Sequence, residues 1–83
     1  MTVDKFISIC KKEGIVWNSL IRIRILRPKK FFGFFRKLTG ITIEGAFNSC
    51  STCVEIMAAD DNGKSIMHYI DCEDIIAVKL INN

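Results

Sequence analysis

The chain has 83 residues, 49% of them hydrophobic, and a formal net charge of +3. That length makes one small domain, 1–83, whose core stands without obligatory disulfide or metal staples but with a thin margin that oligomerisation would widen. No apolar run approaches the roughly 18–20 residues of a membrane span, and Met-Thr-Val-Asp-Lys-Phe lacks the layout of a signal peptide, so the expected location is cytoplasmic and the four cysteines read as thiols or metal ligands.

The first element, an N-terminal helix within 1–14, follows from Thr2 as a cap, Asp4 in the first turn, Lys11 and Lys12 in the last, and Gly14 as a stop. Val3, Phe6, Ile7 and Cys10 recur at helical spacing and give it one apolar face. The face suits a helix lying over a sheet, or alternatively one docking on a partner.

Ile15 to Leu26 reads as a strand. Ile21, Ile23 and Ile25 alternate with Arg22 and Arg24, which gives one buried face and one basic face. The basic face is either solvated or available to phosphate.

Residues 27–40 form a basic-aromatic insertion. From Arg22 to Lys37 the chain holds seven of its twelve basic residues and four of its six phenylalanines, and no acid occurs between Gly14 and Ile43. The segment carries +7 and the remainder, with five bases and nine acids, −4. A mild net charge thus hides a polarised chain. At 100° per residue Phe31, Phe34, Phe35 and Leu38 share one face, with Phe32 at its border and Lys29, Lys30, Gly33, Arg36 and Lys37 opposite. Pro28 and Gly40 suit the ends of a short amphipathic helix or helical turn, although Gly33 in its middle opposes one by about 1 kcal/mol. Several roles remain open: stacking on bases, lying on an anionic membrane as a peripheral contact, entering a partner's groove, or packing on the domain's own core.

Ile41 to Ile81 reads as short strands. Ile41, Ile43 and Phe47 share a face with Gly45, a bend or bulge position. Asn48 to Thr52 is a polar turn, and Val54, Ile56 and Ala58 alternate. Asp60-Asp61-Asn62-Gly63 signals a hairpin with a type I′ turn. Ile66, His68 and Ile70 share a face, Glu73-Asp74 makes a corner, and Ile75 to Ile81 forms a last strand. The expected fold is mainly β with an N-terminal helix: a small five-stranded, strongly bent barrel.

That order resembles the Sm-like and wider SH3-like small-barrel group. Ile43-Glu44-Gly45-Ala46-Phe47 is similar to its bent second strand, and Tyr69-Ile70-Asp71-Cys72-Glu73-Asp74-Ile75 to its strand-corner-strand motif. The corner carries Asp71-Cys72 where the group usually has Arg-Gly, and Asn48 alone stands for its RNA-binding loop. The resemblance implies a homo-oligomeric ring or adaptor, often acting on RNA.

Cys50-x2-Cys53-x14-His68-x3-Cys72 is the one metal-like constellation, with the four N/S donors that zinc takes. The alternative is three partly buried thiols and a core-facing histidine. No phosphate loop, nucleophile elbow or paired carboxylates mark an enzyme, and no other cofactor is expected.

The expected function is therefore non-enzymatic RNA binding, or binding of another nucleic acid. Arg22, Arg24, Arg27, Lys29, Lys30, Arg36 and Lys37 would lie on phosphates, and Phe31, Phe32 or Phe34 would stack. One alternative is a protein-interaction module, including a small phage- or host-encoded inhibitor that occludes a protein partner. The other is a zinc-stabilised binding domain.

Overall fold

The computed structural model describes residues 1–31 and 35–82, and for 27–31, 35–39 and 82 the backbone path alone. Among the described residues one helix, α1 (Val3–Glu13), precedes five strands: β1 (Leu20–Phe31), β2 (Phe35–Cys50), β3 (Cys53–Ala59), β4 (Ser65–Asp71) and β5 (Ile75–Asn82). A single 3₁₀ turn, Cys72–Asp74, joins β4 to β5.

The ends of α1 are as its sequence dictates. The Thr2 hydroxyl accepts from the Lys5 amide at 3.2 Å, and Gly14 takes the left-handed conformation at φ 73°. Its buried residues, Phe6 and Cys10, face the sheet, where the rings of Phe6 and Phe47 lie 6.2 Å apart.

The sheet is antiparallel in the order β4-β3-β2-β1-β5. Its two edge strands are consecutive in the chain and only four residue steps apart, at most about 14 Å. A flat sheet would separate them by four strand spacings, about 19 Å. The sheet therefore curls on itself. No ladder joins β4 to β5 among the described residues, so it is curled but open, not the closed barrel. Ile21, Ile23, Ile25, Val54, Ile56, Ile70 and Ile75 fill the concave side with Phe6 and Cys72.

Gly45 is where β2 passes from β1 to β3. A Cβ there would collide with the Met57 carbonyl oxygen and stand 3.0 Å from the Ala58 Cβ. Gly45 thus serves a close approach of two strands. The bulge lies further on, where the β2–β3 register shifts between Phe47 and Ser49.

Three local expectations are corrected. The first strand starts at Leu20, not Ile15, because Asn18 turns the chain at φ 68° and the Ser19 hydroxyl accepts from the Val16 amide. The Asp60–Gly63 hairpin is not type I′: Gly63 has positive φ but Asn62 does not, and Asp60 Oδ1 accepts from the amides of Asn62 and Lys64.

The third correction concerns the insertion. Its backbone is strand, not helix, over Arg27–Phe31 and Phe35–Gly40. Ladder pairing that begins at Leu20 with Ala46 runs on without a shift to Phe31 with Phe35, giving partners to the backbone groups that face the neighbouring strand. Among the described residues β5 pairs with β1 only over Leu20–Ile25, and β3 with β2 only over Ala46–Cys50. The hairpin beyond Leu26 and Gly40 is therefore a two-stranded ribbon outside the body of the sheet.

Candidate nucleic-acid interface

The convex face of the sheet carries the residues that alternate with the core isoleucines. On β1 these are Leu20, Arg22 and Arg24, all exposed. Arg22 Nε donates to Glu44 Oε1 across the strand at 3.0 Å, so part of its charge is already matched. Its other neighbour is Lys79 of β5. Arg24 lies between Thr42 and Ala77 and has no ion-pair partner among the described residues.

Beyond Leu26 the same strand continues into the ribbon. There the register places Arg27 opposite Thr39, Lys29 opposite Lys37, and Lys30 opposite Arg36. Two cross-strand pairs of like charge follow one another, and like charges directly opposite destabilise an antiparallel ladder. The expected stacking by Phe31, Phe32 and Phe34, and the phosphate contacts of Arg27, Lys29, Lys30, Arg36 and Lys37, lie outside the described side chains.

A second feature of the convex face was not singled out by sequence pattern. Trp17 is 72% exposed, yet its indole is fixed: Nε1 donates to Asn48 Oδ1 at 3.0 Å, and Asn48 Nδ2 donates to Glu55 Oε1 at 3.2 Å. Ser49 Oγ holds the other oxygen of Glu55 at 2.7 Å. Beside the ring a concavity of about 160 Å³ is lined by Asn18, Ala46, Phe47, Met57 and Met67. The contact joins residues 31 apart, so no local window contains it. A lone tryptophan beside a strand start was the only available signal.

The cysteine-histidine set is not brought together. Among the described residues no group of three or more His, Cys, Asp or Glu is placed to hold a metal. Cys53 precedes the buried Val54 and so turns to the opposite side of β3 from the core. His68 lies on the edge strand β4, paired with Ile56 of β3, and its Nε2 is buried with no hydrogen-bond partner among the described residues. Cys10, Cys50 and Cys72 do share one region. Burial pushes the Cys50 thiol up to about 11, with the neighbouring Cys72 and Cys10 adding to the rise, and burial also raises Cys10 and Cys72. Thiols held protonated are poor nucleophiles. They pack here as small apolar side chains.

A larger hollow of about 500 Å³ lies between the start of the chain and the corner, lined by Met1, Thr2, Val3, Thr52, Cys72 and Glu73 among others. The Met1 amino group donates to the carbonyls of Cys72 at 3.0 Å and Ile75 at 2.7 Å. Among the described residues no helix is long and apolar enough to cross a membrane. Comparison with known proteins finds no family model, no curated protein and no solved structure that matches the chain.

Proposed function

We propose that the protein is a non-enzymatic, RNA-preferring nucleic-acid-binding domain that grips a polyanion with the basic ribbon and the adjoining convex face of β1. The observation that carries the reading is the ribbon's register, with Lys29 opposite Lys37 and Lys30 opposite Arg36. No acid lies within the segment from Gly14 to Ile43, so this concentration of charge is unmatched inside the ribbon. A phosphate chain supplies the missing anions and turns the repulsion of each pair into shared attraction.

A helix lying against a curled five-stranded sheet and a 3₁₀ corner between its last two strands support the likeness to the Sm-like small-barrel group. That likeness brings with it assembly of several copies in the cytoplasm.

The test is fluorescence anisotropy of a labelled single-stranded RNA across a salt series. Affinity falls steeply with salt, and Lys29→Ala/Lys30→Ala weakens binding and flattens the log–log slope by about 1–1.5, the share of two phosphate contacts on a single strand. A flat salt dependence with no loss in the double variant refutes the reading. The second reading, a protein-interaction module or a small inhibitor that occludes a partner, is favoured by the exposed Val16, Trp17 and Tyr69. It predicts a stoichiometric protein complex that tolerates salt.

A further inference from the structure

We infer that the concavity beside Trp17 is a stacking site for one unpaired base of the bound strand. This deepens the proposed function and rests on it.

A tryptophan normally gains by burying its large ring, and when it is exposed its hydrogen-bonding group usually faces water. Trp17 does the reverse. Its polar atom is tied down by Asn48, which Glu55 and Ser49 brace in turn, and its ring is left open to solvent. This hydrogen bond favours one orientation of the ring before any ligand arrives, which lowers the ordering penalty of stacking on it.

The surroundings fit a flat apolar face. Register places Leu20, Ala46, Met57 and Met67 in one row across β1 to β4 on the convex side. Thioethers next to an indole make a soft, polarisable floor. The amide of Asn48 is engaged at both ends, so the concavity offers chiefly stacking surface. Stacking is tolerant of base identity because every base has a π-face.

Charge decides between occupants. Two residues along β1 from Leu20 comes Arg22 with Lys79 beside it, then Arg24, then the ribbon. Glu44 on this face is matched by Arg22, and Glu55 is held by Ser49 and Asn48. An occupant of the concavity that continues along β1 meets a line of cations. A nucleic-acid strand has both parts required, a stacking face and a charged backbone. A second copy of this chain would bring its own Arg22, Arg24 and Lys79 against them.

Trp17 is the chain's single tryptophan, so its emission reports on this site alone. The full chain is titrated with a labelled oligouridylate of about a dozen nucleotides, following label anisotropy and Trp17 emission in parallel. The expected result is quenching that saturates together with the anisotropy. Trp17→Ala binds roughly tenfold or more weakly, and Trp17→Phe recovers much of the loss. Heparin, a polyanion without bases, competes for the protein but leaves Trp17 emission unchanged. The exposed position of Trp17 leaves the core of the variants intact, which an unchanged melting temperature verifies.

Anisotropy that rises while Trp17 emission stays constant, with Trp17→Ala binding like the parent, overturns the stacking site and leaves the polyanion reading standing. Quenching by heparin equal to that by oligouridylate overturns it too. A mass that doubles with protein concentration as Trp17 emission shifts, in the absence of RNA, assigns the concavity to a second copy and overturns it as well. No anisotropy change at low salt removes the parent reading, and the stacking site with it.

Discussion

At the scale of single residues, the position least free to vary on the convex-to-concave crossing of β2 is Gly45. Its neighbours on the same side, Ile43 and Phe47, are partly buried against the core, so a larger residue there would satisfy the strand's alternation. The Met57 carbonyl forbids it. That atom belongs to a paired strand and cannot swing away as a side-chain tip would. Gly45→Ala is therefore expected to lower stability by about 1–3 kcal/mol, the range for overpacking a filled interior. Urea unfolding measures this directly, and a variant within a few tenths of a kcal/mol of the parent would show that β3 can move. The glycine was visible in the sequence as an interruption of an apolar alternation, but its cause was not, since the obstructing atom lies on another strand. The same holds for Cys53 and His68. Their spacing resembles a metal site along the chain, and strand parity together with register then separates them in space.

At the scale of elements, the ribbon is where sequence and structure diverge most. Ile21, Ile23 and Ile25 announce β1 because only a period of two buries all three, and all three are fully buried. From Phe31 to Leu38 the apolar positions also fit a period of 3.6, and Pro28 and Gly40 have the residue types of helix ends. What the local pattern could not contain is the partner strand. Once the ladder has started at Leu20 and Ala46, each added pair satisfies further backbone groups and the hairpin extends. This extension places Lys29 against Lys37, an arrangement that ladder stability alone disfavours. Lys37→Glu converts the pair to opposite charges and is expected to stabilise the protein by about 0.2–1 kcal/mol. The same change weakens RNA binding and its salt dependence, because one cation is lost and an anion added. Thermal melts and the anisotropy titration read the two effects separately. A variant that melts lower than the parent while binding RNA equally well would contradict both the register argument and the function built on it.

At the scale of the whole molecule, one end of the curled sheet is held by α1, the end of β2 and the 3₁₀ corner, and each contributes a thiol: Cys10, Cys50 and Cys72. The Cys72 thiol donates to the Thr2 carbonyl at 3.6 Å, linking the corner to the helix start. Because these groups meet only in the folded chain, their titration belongs to folding as a whole. Burial first, and the neighbouring thiols second, raise Cys50 from its ordinary 9.0 to about 11. The unfolded chain thus releases this proton near pH 9 while the folded chain retains it for about two further units. Below pH 9 both states are protonated and the contribution to stability is complete. As pH rises from 9 through about 11 the unfolded state is progressively favoured, and the contribution is lost. Melting temperatures measured under reducing conditions should therefore fall over this window. Cys50→Ala, somewhat less stable at neutral pH through lost packing, should fall less steeply. Every other ionisable group is common to both proteins, so the difference between the two slopes isolates the thiol. Equal slopes would mean that Cys50 is already hydrated in the folded state, and that the three elements meet there without excluding water.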